Sequence, residues 1–399
     1  MSKLLIVGAS ILQLPAIRKA KSLGHYVAVV DYNPQAVGIP FADEYYNAST
    51  IDVDAITEVA NRFQPDGIMT LATDMPMRSI AQATSFLGLP GITMETAIKS
   101  TDKEAMIEAF KLHEVPSPWY FIISSRKDLQ KVSTLITYPC IVKPTDNSGS
   151  RGVILVRSAD RLEEAFLYSS SQSRRGKAIV EEYLQGQEVS VEIMVVNSEV
   201  YILAVTDKLT TGAPFFVEMG HSQQSSLSIN ALAKIKNVAK LAVNAVGINN
   251  GPAHVEIMLT EQGPKMIELG ARLGGDCITT HLVPLSTGID MIKATIDVSL
   301  GFTPKLLPRF EKGSAIRYIN VSPGVITSIK GIEESKYISG VQEVILQKQI
   351  GDEVSEIHSS LDRVGFVIAQ GRNAKDAVCI CEEALKCITI KTKIDELQR

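Results

Sequence analysis

Cysteine is scarce, with five residues in a chain of 399 and no CxxC pair among them. An odd number without paired spacing does not make a secreted disulfide framework. Cys140, Cys277, Cys379, Cys381 and Cys387 therefore read as free thiols in a reducing cytoplasm. The last three share one helical pattern, but no histidine lies near enough in sequence to complete a zinc set. Long apolar runs are also missing. None approaches the ~20 residues of a membrane-spanning helix, and the run Lys3 to Val7 stops at Gly8, too short for the apolar part of a signal peptide. Nor is there an excess of one charge. Forty basic against 44 acidic side chains leave −4, which excludes nucleic-acid binding by bulk positive charge. What remains is 45% hydrophobic and 21% charged, a globular composition rather than a disordered or repetitive one. At roughly 150 residues per domain, the length suggests two or three domains.

The opening segment alternates strands and helices. Leu4 to Val7 is an apolar run, Leu14, Ile17, Ala20 and Leu23 keep helical spacing, and Tyr26 to Val30 is a second apolar strand ending at Asp31. A helix near Val53 to Phe63, a strand over Gly67 to Ala72 and a helix near Arg78 to Leu87 continue the pattern. Such alternation predicts a doubly wound parallel sheet over about 1–92. Thr101 with Glu104 three residues on reads as a capping box opening a linker helix. From Trp119 short strands dominate, with helices near Ala159 to Ser169 and Ser228 to Val246, giving a mainly antiparallel α+β region over about 93–305. The tail, about 306–399, shows strands near Ser314 to Val321, Val341 to Gln347 and Val364 to Ala369, then an amphipathic helix from Ala374 to Cys387. The fold class is therefore α/β and α+β: a doubly wound N-terminal domain, a central α+β body and a small sheet-plus-helix lobe. The run Ser169 to Lys177 reads as a solvated loop.

The first turn invites a dinucleotide reading that its residues do not support. Where that fingerprint requires three glycines, this chain has Gly8, Ser10 and Gln13. Asp74, near a strand's carboxyl end, is a candidate substrate contact. A stronger signal is a pair of carboxylates. Period-2 alternation runs through His254 to Leu259 and again through Ile267 to Arg272, on either side of a turn. With five residues in the loop, Leu259 pairs with Lys265 and Glu256 falls opposite Glu268. Like charges ~5 Å apart across a hairpin cost on the order of 0.2–1 kcal/mol, so a cation is expected between them. Mg²⁺, which takes carboxylate oxygens together with substrate phosphates, suits the place. Arg272, on the same face, would meet a transferring phosphoryl or acyl group.

Two further elements accompany the hairpin. The strand Tyr138 to Pro144 delivers Lys143 at its end, and the Gly/Ser loop Thr145 to Gly152 follows, able to aim backbone N–H groups at phosphate. The strand Ala178 to Leu184 turns acidic at Glu181 and Glu182, with Glu188 beyond Gly186. One carboxylate and the strand backbone there could read an adenine edge.

Together these residues resemble the ATP-grasp superfamily, which includes glycinamide ribonucleotide synthetase, biotin carboxylase, carbamoyl phosphate synthetase subdomains and L-amino acid ligases. The resemblance covers nearly the whole chain. It implies a preATP-grasp domain over 1–92 and an ATP-grasp domain over 93–305, with 119–183 as the smaller nucleotide-covering lobe. A C-terminal lobe over 306–399 would complete the ATP-grasp body. By the same resemblance, Lys103 and Lys143 contact ATP phosphates, and the loop 146–152, with Ser148, Gly149, Ser150 and Gly152, closes over them. Glu181 meets the adenine amino group, the backbone at Glu182, Tyr183 and Leu184 lines the adenine slot, and Glu188 holds the ribose. Glu256 and Glu268 become the Mg²⁺ ligands (Mn²⁺ as a substitute), and Arg272, with Lys143, the catalytic residues. One departure stands out: Gly270 occupies a position where members commonly carry asparagine, an oxygen ligand. His221 falls where related ligases place a loop over the acyl phosphate. The implied activity is ATP-dependent carboxylate–amine ligation through an acyl phosphate, on small molecules, in the cytoplasm, with no nucleic acid or membrane partner and a homodimer left open. An amino acid is the preferred substrate. A purine-pathway ligase, a biotin carboxylase (no carrier segment is recognisable), an NAD-dependent oxidoreductase and a non-catalytic ATP sensor are the alternatives.

Overall fold

The computed structural model describes residues 1–147 and 151–393. These form two compact units, each discontinuous in sequence. One comprises 1–117, 190–205 and 228–309; the other comprises 118–189, 206–227 and 310–399.

The first unit begins with a parallel four-stranded sheet in the order Glu44–Tyr46, Tyr26–Val30, Lys3–Val7, Gly67–Met69. Both central strands are apolar and almost wholly buried, as strands covered on two faces require. Pro15 stands in the first turn of helix Leu14–Ser22, where its missing N–H costs nothing. Helix Met77–Leu87 stops at Gly88, whose φ of +65° terminates it. The turn after the first strand is closed on itself. Gln13 fills the space beneath Gly8 and donates to the Leu71 carbonyl at 2.7 Å. Asp31 accepts from Ala9 N at 2.8 Å and Asn33 N at 2.9 Å. The side chains a dinucleotide would meet are therefore engaged in holding the turn.

Helix Lys103–Leu112 is capped by Asp102, which accepts from Ala105 N, and not by Thr101. The Thr101 hydroxyl is used elsewhere, donating to Ala97 O at 2.7 Å and accepting from Arg78 Nε at 3.0 Å. Later in this unit come helix Ile229–Val246, capped by Ser228, and the antiparallel hairpin Gly251–Thr260 with Gly263–Gly270. Strand Gln187–Val196 lies beside Gly251–Thr260.

The second unit holds an antiparallel four-stranded sheet ordered Tyr120–Ile123, Ala178–Glu182, Cys140–Pro144, Ile154–Val156, with helix Leu162–Ser171 against its apolar face. It also contains neighbouring strands Glu218–Gln223, Gly313–Tyr318, Gly365–Gly371 and Val341–Leu346, covered by helix Ala374–Cys387. A three-stranded sheet, Glu353–Val354, Gly324–Lys330 and Thr389–Lys393, completes it. No helix among the described residues is long and apolar enough to cross a membrane.

Candidate active site

In the first unit Glu256 and Glu268 pair directly across the hairpin, but not by the route that counting residues gives. The loop is shorter than five residues: Thr260 pairs with Gly263, Leu259 with Pro264 and Met258 with Lys265. A bulge between Glu256 and Ile257 then inserts one residue on the opposite strand, so that Glu256 meets Glu268 after all. Gly263, at φ +116°, supplies a backbone state a bulkier residue would strain to adopt.

Cations surround the pair. Lys103 Nζ lies 3.0 Å from Glu268 Oε1, and His254 Nε2 lies 3.3 Å from Glu256 Oε1. Arg272 makes a two-pronged contact with Asp74, Nε to Oδ1 at 3.0 Å and Nη2 to Oδ2 at 3.2 Å. Burial works against the charged guanidinium, but Asp74, and then Glu256 and Glu268, outweigh it and raise the Arg272 pKa above its ordinary value. The position of Gly270 now has a physical reason. A Cβ there would stand 2.7 Å from Asp74 Oδ1 and 3.1 Å from Arg272 Nε, in space the ion pair already fills.

His254 is buried and was not singled out from the sequence. Its Nδ1 lies 2.9 and 3.1 Å from the two oxygens of Glu192, which has no exposure at all. Burial alone would lower the imidazole pKa, but the charge and hydrogen bond of Glu192, aided by Glu256, raise it to about 9. The available signal was a glutamate inside the apolar strand Val189 to Val196, and a histidine two residues before Glu256 on the same face.

Among the described residues no group of three or more His, Cys, Asp or Glu side chains is arranged to hold a metal ion. Two facing carboxylates are nonetheless the donor set for an ion that completes its shell with phosphate oxygens and water, so the residues fit Mg²⁺ bound together with a nucleotide.

In the second unit, Lys143 ends strand Cys140–Pro144 and its Nζ lies 2.5 Å from Glu181 Oε1, both side chains nearly buried. Glu181 sits on the adjacent strand, opposite Ile141, which brings the two onto one face. Glu182 N donates to Trp119 O at 3.0 Å, fixing the strand edge before Tyr183 and Leu184. The Tyr183 ring packs at 6.2 Å from that of Phe216. Glu188 meets Lys208 Nζ at 2.5 Å, and Lys208 is also 3.5 Å from Glu218 Oε1. This lysine, 2% exposed, carries the charge balance of two glutamates, and nothing in its local sequence marked it out. Gly152 has φ +80°, and a Cβ on it would come within 2.7 Å of Pro144. Ser148, Gly149 and Ser150 lie outside the described residues. His221 is buried, 1% exposed, within strand Glu218–Gln223, so it does not lie on the loop that the resemblance implied there.

Residues 136–280 match the ATP-grasp domain, and residues 317–393 match the L-amino acid ligase C-terminal domain 2. The L-arginine-specific L-amino acid ligase of Bacillus subtilis is 28% identical over 288 residues, covering 69% of this chain and 68% of that protein. The phosphoribosylamine–glycine ligase of Methanococcus vannielii is 24% identical over 401 residues, covering 93% and 89%. The crystal structure of an L-amino acid ligase from Bacillus licheniformis shares the fold, with a TM-score of 0.86 at 22% identity, covering 98% of this chain and 99% of that one. The opposed glutamates and the strand-end lysine all lie within the matched segment 136–280, so the chain carries an ATP-grasp domain followed by an L-amino acid ligase C-terminal domain, and is a carbon–nitrogen ligase of the ATP-grasp kind.

Proposed function

We propose that the protein joins the carboxylate of an amino acid or small acid to an amine, through an acyl phosphate, with release of ADP and phosphate. The observation that carries the reading is the direct pairing of Glu256 with Glu268, with Lys103 on one of them and Arg272 nearby under the influence of both. A purely structural hairpin gains nothing from placing like charges opposite each other. The match of 317–393 to an L-amino acid ligase domain favours amino acids over purine precursors or bicarbonate. The segments 1–92, 93–305 and 306–399 are taken as preATP-grasp, ATP-grasp and C-terminal parts.

A carboxylate resists attack because its charge repels nucleophiles and its leaving group would be oxide. Phosphorylation replaces that leaving group with phosphate, and the amine then displaces it. In this reading Lys143 and Lys103 neutralise the triphosphate, and phosphoryl transfer needs little beyond such positioning and charge compensation. Glu181 would accept from the adenine amino group while keeping Lys143, since one carboxylate has about four acceptor sites. The backbone at Glu182, Tyr183 and Leu184 would line the adenine, and Glu188 would take the ribose hydroxyls. Arg272, oriented by Asp74, would bind the oxygens of the acyl phosphate. Glu256 and Glu268 would hold Mg²⁺ (or Mn²⁺), which would supply charge neutralisation for the phosphoryl transfer.

The deciding experiment measures ADP release with Mg²⁺ and ATP across a matrix of amino acids and small carboxylates. Release that depends on both a carboxylate and an amine is expected. Tight ATP binding without ADP release for any pair would replace this reading with that of a nucleotide sensor.

A further inference from the structure

Behind the carboxylate hairpin lies a buried pair whose arrangement has one consequence for metal binding. Glu192 is fully buried and accepts from Ser190 Oγ at 2.9 Å and from His254 Nδ1 with both of its oxygens. A carboxylate in such a place requires a cationic partner, and His254 is the one it touches. The imidazole is thereby clamped at one nitrogen, which fixes the direction of the other, and that other nitrogen points at Glu256 Oε1. The backbone has also made room. A Cβ on Gly274 would stand 2.6 Å from His254 Nδ1 and 2.9 Å from Glu192 Oε2, so any larger residue there would displace the pair.

We propose that the Glu192–His254 pair positions Glu256 for a divalent cation, and that Gly274, having no side chain, leaves the space the pair fills. The inference rests on the reading of Glu256 as a metal ligand. His254 donates from Nε2 to Oε1 of Glu256, which fixes the carboxylate plane and leaves the other oxygen for the ion. The pair is a positioning device; it contacts neither substrate nor reacting atoms. Partners of this type, once removed, typically cost about 10–100-fold in metal affinity.

The test is Mn²⁺ binding to the ADP-loaded protein, followed by electron paramagnetic resonance and independent of turnover. His254→Ala should weaken Mn²⁺ by about 10–100-fold while leaving metal-free ADP affinity unchanged. A paired Glu192→Met and His254→Leu substitution removes both buried charges at similar volume. It should recover thermal stability relative to His254→Ala without recovering Mn²⁺ affinity. Unaltered Mn²⁺ binding in the paired variant would reduce the pair to a structural element and overturn the proposal. If the paired variant does not fold, Glu192→Gln serves, since it keeps shape and His254 but loses the charge. Weakened Mn²⁺ binding is expected there too, and unchanged binding overturns the proposal. Glu256→Gln separates the two levels. If that variant keeps its Mn²⁺, the metal reading itself fails. If it loses Mn²⁺ while His254→Ala does not, only the positioning role fails.

Discussion

The two units handle charge in contrasting ways. In the second, lysine and glutamate are matched one to one or one to two and are largely withdrawn from solvent: Lys143 with Glu181, and Lys208 with Glu188 and Glu218. In the first, two glutamates are set against each other, and their counter-charges come from elsewhere in the chain, Lys103 from a helix start and Arg272 held by Asp74. A matched buried pair is self-sufficient, and removing one partner leaves an uncompensated charge. An opposed pair is incomplete by construction and gains from a further cation. The Lys143 and Lys208 clusters should therefore report their damage as lost stability, and the Glu256–Glu268 pair as lost activity with the fold intact.

That contrast can be broken at several points. The largest effect is expected at Glu268→Gln, which should abolish ADP release (a loss of about 10³-fold or more, several kcal/mol of transition-state charge stabilisation) with a thermal midpoint close to that of the unaltered protein. Near-normal turnover would remove the metal assignment. Lys143→Met should weaken ATP binding and, unlike Glu268→Gln, also lower stability by about 3–5 kcal/mol, the usual cost of stranding a buried carboxylate. Denaturant unfolding checks this, and an unchanged midpoint would show that Glu181 needs no partner. Gly270→Asn should separate Asp74 from Arg272 and cost about 1–3 kcal/mol by overpacking, together with a reduced rate at saturating ATP. Wild-type kinetics in that variant would mean the ion pair plays no part in catalysis. The smallest effect is metal removal without nucleotide. Chelation should stop turnover but shift the stability of the nucleotide-free protein by no more than ~0.2–1 kcal/mol, the scale of a like-charged cross-strand pair. A large melting shift would point instead to a structural metal.

Much of this architecture was legible from patterning. Apolar runs gave the first two parallel strands, and helix Ala374–Cys387 follows its amphipathic period to both ends. The facing glutamates were legible for a partly wrong reason. A loop counted too long and an unforeseen bulge compensate each other, because a register depends only on the net offset. The cap of helix Lys103–Leu112 lies one residue beyond the Thr101 that the local pattern favours, because Thr101 is committed to Arg78 and Ala97, which no local rule sees. Lys208, Glu192 and His254 stayed hidden for the same physical reason. Their significance lies in partners brought together by folding, 62 residues apart in the case of His254 and Glu192. The discontinuous units were equally beyond a linear reading, because strands Gln187–Val196 and Glu199–Thr210 each contribute residues to both.

The missing side chain at position 270 ties three residues together. With the Asp74 carboxylate occupying the volume a larger residue would need, asparagine fits there only if Asp74 moves aside. Shortening or redirecting Asp74 would make that room, and in doing so release Arg272. Positions 74, 270 and 272 thus share one small volume, and substitutions at them should act non-additively.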